Sequence, residues 1–160
     1  MPTPMMTEPP VLSTFVFGHP RPQGSKVAFA NGGMREASKY VKRWREDIRD
    51  QLIREWDNRP PISGPVHVEL HFIMPRPKYL AKSKLNPPAI RRPDLDKLFR
   101  AVADAISMAR IWNDDSQMID ARVTKRIAAP GQEPGVYIAI RTPPHEYMGI
   151  LPKKRLKLDD

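Results

Sequence analysis

Residues 91–126 read RRPDLDKLFRAVADAISMARIWNDDSQMIDARVTKR. Leu98, Val102, Ala105, Ile106 and Ala109 recur at helical spacing, in alanine-rich surroundings that favour propagation. From Gln117 to Ile127 the period drops to two. Ile119, Ala121, Val123 and Ile127 alternate with Asp120, Arg122, Thr124 and Arg126, which predicts a strand with the first set inward. Pro93 biases Arg92 towards an extended conformation, and Asp96 stands where an N-cap belongs. The stretch is therefore an extended entry, a helix of roughly four turns, a turn and a strand.

Working outward, Pro65 to Met74 alternates as well. Val66, Val68, Leu70, Phe72 and Met74 share one face, and His67, Glu69 and His71 share the other. That second face is either the polar outside of a sheet or, with two imidazoles and a carboxylate, a metal-binding trio. Upstream, Arg35 or Glu36 to Trp56 keeps a helical period through Tyr40, Val41, Trp44, Ile48, Leu52 and Trp56. This aromatic stripe reads as core or as a dimer contact. Leu12 to Gly18 (LSTFVFG) and Val136 to Arg141 (VYIAIR) are rich in β-branched and aromatic residues and read as strands. The sequence thus predicts an α+β fold. A single domain carries a mixed β-sheet with two main helices packed on it, in the order β-α-β-α-β-β. Residues 1–11 read as a flexible leader, 12–141 as the domain and 142–160 as a basic tail. Lys153, Lys154, Arg155 and Lys157 make that tail a solvated patch, weakly DNA-binding at most.

The formal charge of +9 and pI near 10.0 call for a polyanionic partner. No apolar run approaches the roughly 18 residues of a membrane span, so nucleic acid is the expected partner rather than a membrane. The absence of cysteine excludes disulfides and thiolate zinc sites, and fits a cytoplasmic protein. The basic residues are not spread evenly. Pro75 to Pro93 (PRPKYLAKSKLNPPAIRRP) holds Arg76, Lys78, Lys82, Lys84, Arg91 and Arg92 and no acid, and suits an arm that grips phosphates. HPRPQGSK offers Arg21, Ser25 and Lys26 around Gly24. This loop is either a phosphate-touching loop or an ordinary surface turn.

Acids gathered inside this cationic chain are the anomaly. Asp94 and Asp96 are two apart, so in an extended segment both point one way and can converge on one ion. Asp114 and Asp115 follow the helix in Asn-Asp-Asp, which is also common turn chemistry. A strand from Ser116 beside the segment carrying Asp94 would bring Asp115 back to it. Several carboxylates with few imidazoles form a hard, oxygen-rich site that favours Mg²⁺ or Mn²⁺ over zinc. With a phosphodiester substrate, such a cation activates water and offsets transition-state charge. Lys97 and Arg100 open the same helix and can stabilise that charge, although Arg100 can also pair with Asp104 at i,i+4.

RPDLDKLFRAVADAI followed by WNDDSQMIDARVTK resembles the RusA-type Holliday junction resolvases, a family of Mg²⁺-dependent endonucleases often found in phages and prophages. The resemblance extends to Pro20, Pro22 and Gly24, to the long helix and to the strand before the motif. It implies Asp94, Asp96 and Asp115 as metal ligands, and places Gln23, Gly24, Ser25 and Lys26 at the DNA-contacting loop. It also implies a homodimer that cuts two opposed strands of a four-way junction in recombination and repair. Two positions depart from the family: Lys97 replaces an Asn, and Arg100 stands where a catalytic lysine belongs. Arginine keeps the charge but stays protonated, so a shared electrostatic role for Lys97 and Arg100 is expected. A non-catalytic DNA-binding protein, or a nuclease preferring flaps, are the competing expectations.

Overall fold

The computed structural model describes residues 9–24 and 33–143, the first six of the second span by their backbone alone. The elements are β1 (Leu12–Phe17), α1 (Gly33–Trp56), β2 (Val66–Met74), α2 (Leu95–Met108), a 3-10 turn (Asp115–Gln117), β3 (Met118–Ile127) and β4 (Gly135–Arg141). They form a single mixed sheet in the order β1-β4-β2-β3. β4 runs antiparallel to both β1 and β2, whereas β2 and β3 are parallel. The α+β fold and its element order are those expected from the sequence.

Both helices lie on one face of the sheet. Trp44, Ile48, Leu52 and Trp56 of α1 meet Leu98, Val102, Ala105 and Ile106 of α2 in one buried cluster with Val66, Val68, Leu70 and Phe72 of β2. The aromatic stripe is thus core, except at Tyr40, which is exposed. Fully buried Ala101 and Ala105 remove bulk from the inner face of α2, so α1 can approach closely. Gly18 leaves β1 with φ of +145°, and a Cβ there would stand 2.8 Å from the Trp44 ring, so no other residue fits without displacing it.

The parallel pair decides where the acids go. Parallel neighbours need a long crossover, here the loop after Met74 and then α2. α2 therefore runs back against the direction of both strands. Its first turn lies at their C-terminal ends, and the 3-10 turn lies at their N-terminal ends. Asp94, not Asp96, is the N-cap residue, because Leu95 already has helical geometry. β3 also departs from the simple alternation. A bulge opposite Val66 and His67 takes up one residue, so Ile119 is exposed rather than inward, and Met118 packs on the core instead. Beyond the bulge, Val123, Lys125 and Ile127 pair with the inward residues Leu70, Phe72 and Met74.

Candidate active site

At the start of α2 the Asp94 carboxylate makes no capping hydrogen bond and lies 3.3 Å from Lys97 Nζ. Asp96 is exposed in the first turn, and Arg100 follows it at i+4 on the same flank of the helix. Asp104 does not pair with Arg100; it faces Arg45 at 3.9 Å. The helix N-terminus adds a partial positive charge that favours these carboxylates and any phosphate beside them.

Five contacts hold this end together. Lys125 Nζ donates to Arg91 O at 2.9 Å and to Pro93 O at 2.8 Å, which pins the backbone just before Asp94. The Gln23 N–H donates to Lys97 O at 3.0 Å, and Arg45 donates to Gln23 Oε1 at 2.9 Å. Arg21 stacks on Tyr40, its guanidinium carbon 4.8 Å from the ring centroid. The loop at 19–24 is thereby fastened to the first turn of α2. Between them opens a cleft of about 460 Å³ lined by His19, Arg21, Gly24, Arg92, Asp94 and Lys97. Partial burial, reinforced by the Arg21 charge, holds His19 below the ordinary imidazole range. The structure therefore brings Arg21, Gly24 and Arg92 to Asp94 and Lys97. Ser25, Lys26 and the lysines of the C-terminal tail lie outside the described residues.

The sequence reading missed Lys125. A signal was present: it interrupts the inward face of a strand between Val123 and Ile127, where a lysine has no reason to be unless its ammonium is satisfied. Arg76 is turned to structure as well, donating to the carbonyls of Ala128 and Ala81. Lys78, Lys82, Lys84 and Arg92 are exposed along the loop, and Arg91 donates to Tyr79 Oη at 2.9 Å.

Asp114 and Asp115 sit elsewhere. Asp114 caps the 3-10 turn by accepting from the Ser116 N–H, and those Ser116 hydrogen bonds hold its carboxyl below the usual range. Gln117 Oε1 accepts from the N–H groups of Asn113 and Asp114, while its amide donates to Ile62 O and Gly64 O. Asn-Asp-Asp is turn chemistry for Asp114, and it leaves Asp115 exposed. The expectation that β3 begins beside Asp94 is not met. β3 ends there, since Lys125 near its C-terminus reaches Pro93. The 14 residues of α2, at about 1.5 Å each, separate Asp94 from Asp115 by roughly 20 Å within one chain. Among the described residues no group of three or more acidic or imidazole side chains is arranged to hold a metal ion.

The sheet face away from the helices carries the other candidates. His71 Nε2 lies 2.7 Å from Glu69, Arg141 donates to Glu69 at 2.8 Å, and His67 Nδ1 is 3.4 Å from Asp120. These groups form a polar row along and across β2, with the Arg141–Glu69 ion pair joining it to β4, rather than a metal trio. Burial pushes the Glu69 carboxyl up, but hydrogen bonds and charge from His71 and Arg141 outweigh it and hold it below the ordinary range. The sign follows: Glu69 contributes stability above its unfolded pKa, and that contribution is lost as pH falls through the lower folded value. Between pH 7 and pH 3, wild type is expected to lose more stability than Glu69→Gln in urea denaturation, by at most about 2 kcal/mol. Parallel losses in the two proteins would remove Glu69 from the acid response.

The RusA endodeoxyribonuclease family model matches residues 17–141. An uncharacterized Bacillus subtilis protein, YqaN, is 32% identical over 143 residues, covering 79% of this chain and 92% of that protein. The Escherichia coli K12 crossover junction endodeoxyribonuclease RusA is 46% identical over 44 residues, which is 28% of this chain and 37% of that enzyme. The matched domain runs from the end of β1 to the end of β4 and includes both ends of α2. The chain belongs to the RusA endodeoxyribonuclease family.

Proposed function

We propose that the protein is a Mg²⁺-dependent endodeoxyribonuclease, able to use Mn²⁺, that resolves four-way DNA junctions as a homodimer. The observation that carries this reading is the ion pair of Asp94 with Lys97 at a helix N-terminus beside a cationic cleft, with Asp96 exposed in the same first turn. The donor set fits the cation: Asp94 is not consumed in capping, and Asp94, Asp96 and Asp115 are hard oxygen ligands on exposed side chains. Bound there, the cation would activate water and offset charge on the phosphodiester. Lys97 and Arg100 add positive charge for the developing oxyanion, and Arg100 does so without giving up a proton. Arg21, Arg92 and the lysines of the loop hold the flanking phosphates.

The separation of Asp94 from Asp115 gives the dimer a chemical purpose. One chain offers half a ligand set at each end of α2, and a two-fold partner with its α2 reversed supplies the other half. Two such composite sites per dimer suit two opposed strands of a symmetric junction. Mixing tests this directly. Asp94→Asn and Asp115→Asn proteins, each inactive alone, are refolded together and offered a four-way junction with Mg²⁺. Restored nicking of about a quarter of the wild-type site number is expected if the carboxylates combine across subunits, since half of the dimers are mixed and each carries one intact site. Continued inactivity with mixed dimers formed would return Asp115 to a role within its own chain. Flap, fork and linear duplex DNA in the same assay distinguish a junction resolvase from a flap nuclease. Wild-type binding without cleavage of any substrate marks a non-catalytic DNA-binding protein.

A further inference from the structure

The loop between β2 and α2 encloses a second recess that the metal-site reading does not use. It is a cleft of about 530 Å³ with a mostly apolar lining that includes Tyr79, Leu80 and Ile90, and with Lys84, Arg91 and Arg92 as its lysine and arginine side chains. It shares His19, Arg92 and Pro93 with the cleft at Asp94, so the two adjoin. Tyr79 is 72% exposed and Ile90 87% exposed, an expense of apolar surface that the fold itself does not require. The Tyr79 ring is nonetheless oriented: Arg91 donates to its hydroxyl at 2.9 Å and lies 5.8 Å from the ring centroid.

We propose that this cleft binds one unstacked nucleobase of the DNA strand whose phosphate lies at Asp94, an inference that rests on the nuclease reading above. The match is chemical. A nucleotide is apolar on its base faces and anionic at its phosphate, and the lining of the recess combines apolar side chains with the cations of Lys84, Arg91 and Arg92. No acid occurs from Pro75 to Pro93 to oppose a phosphate, which separates this surface from one made for a neutral protein partner. The volume lies within the range of about 300–1,000 Å³ of small-molecule sites. A base inside a continuous duplex is stacked and cannot enter, whereas a base at a branch point has already lost a stacking neighbour and leaves at lower cost. The cleft thus discriminates branched from linear DNA at the strand to be cut, through Tyr79 stacking and Ile90 as a wedge.

The test uses the full-length protein with Ca²⁺ in place of Mg²⁺. The probes are a four-way junction with 2-aminopurine beside the branch point, the same junction with it in mid-arm, and a linear duplex. Affinity is read by anisotropy and unstacking by 2-aminopurine emission. Tyr79→Ala and Ile90→Ala are expected to weaken junction binding about tenfold. Duplex affinity should stay within about twofold, and the emission gain at the branch position should disappear. Tyr79→Phe should keep both. Wild-type behaviour of both alanine variants, or equal weakening towards junction and duplex, overturns the proposal. A parallel Mg²⁺ cleavage assay separates the two readings. Cleavage that proceeds normally in Tyr79→Ala, with unchanged junction binding, removes the base cleft and leaves the nuclease. Tyr79-dependent junction binding without any cleavage removes the nuclease and leaves the cleft. Absence of junction binding by wild type removes both.

Discussion

Asp94→Asn is expected to bind a four-way junction with near wild-type affinity and to cut it at least ~10³-fold more slowly, a loss of about 4 kcal/mol of transition-state stabilisation. The substitution keeps the size of the side chain and removes one anionic oxygen donor. Helix α2 loses nothing, because the Asp94 carboxylate makes no capping hydrogen bond and Asn is an equally good N-cap residue. DNA binding loses nothing either. Neutralising Asp94 releases Lys97 from its 3.3 Å ion pair and makes the cleft more positive. The loss should therefore fall on cleavage alone, with thermal melting unchanged. Mg²⁺ titration of the rate and a junction gel shift without cleavage measure the two halves separately. Cleavage within tenfold of wild type would exclude Asp94 as a metal ligand.

The second large effect concerns the other end of the helix. Trp112 is fully buried, its indole N–H donates to Ser107 Oγ at 2.7 Å, and its backbone bridges to Ile62. It thus ties the exit of α2 to the segment before β2, directly upstream of the turn that carries Asp115. Trp112→Ala removes one of the largest core side chains and should cost about 3–5 kcal/mol. Against a typical total of about 5–15 kcal/mol, that approaches unfolding at physiological temperature. Ser107→Ala isolates the hydrogen bond. It leaves the buried indole N–H unpaired and should cost about 1–3 kcal/mol. Urea midpoints for the two variants give the comparison. A Trp112→Ala loss below about 1 kcal/mol would mean that the end of α2 is held chiefly by other contacts.

Local signals carried much of this protein in its residue order. The change of period from helical at Leu98–Ala109 to alternating after Gln117 located α2 and β3. The alternation in Val66–Met74 located β2 and its buried face. The spacing of Trp44, Ile48, Leu52 and Trp56 located the inner face of α1. Asp94, Asp96 and Lys97 could be singled out because neighbours within one helical turn are also neighbours in space. These signals depend on residues a few positions apart, and a chain read in order displays them. Lys125 follows the same alternation as Val123 and Ile127, but Ile119 could not be assigned in that way. The bulge opposite Val66 and His67 shifts the strand by one residue, so the register of β3 belongs to its pairing with β2 and not to its own alternation. The same holds for Asp94 and Asp115. Whether the turn after α2 brings Asp115 back towards Asp94 depends on strand order and direction, a matter of long-range pairing. With β2 and β3 parallel, α2 must run back between them, and a rigid helix then keeps the two carboxylates roughly 20 Å apart in one chain.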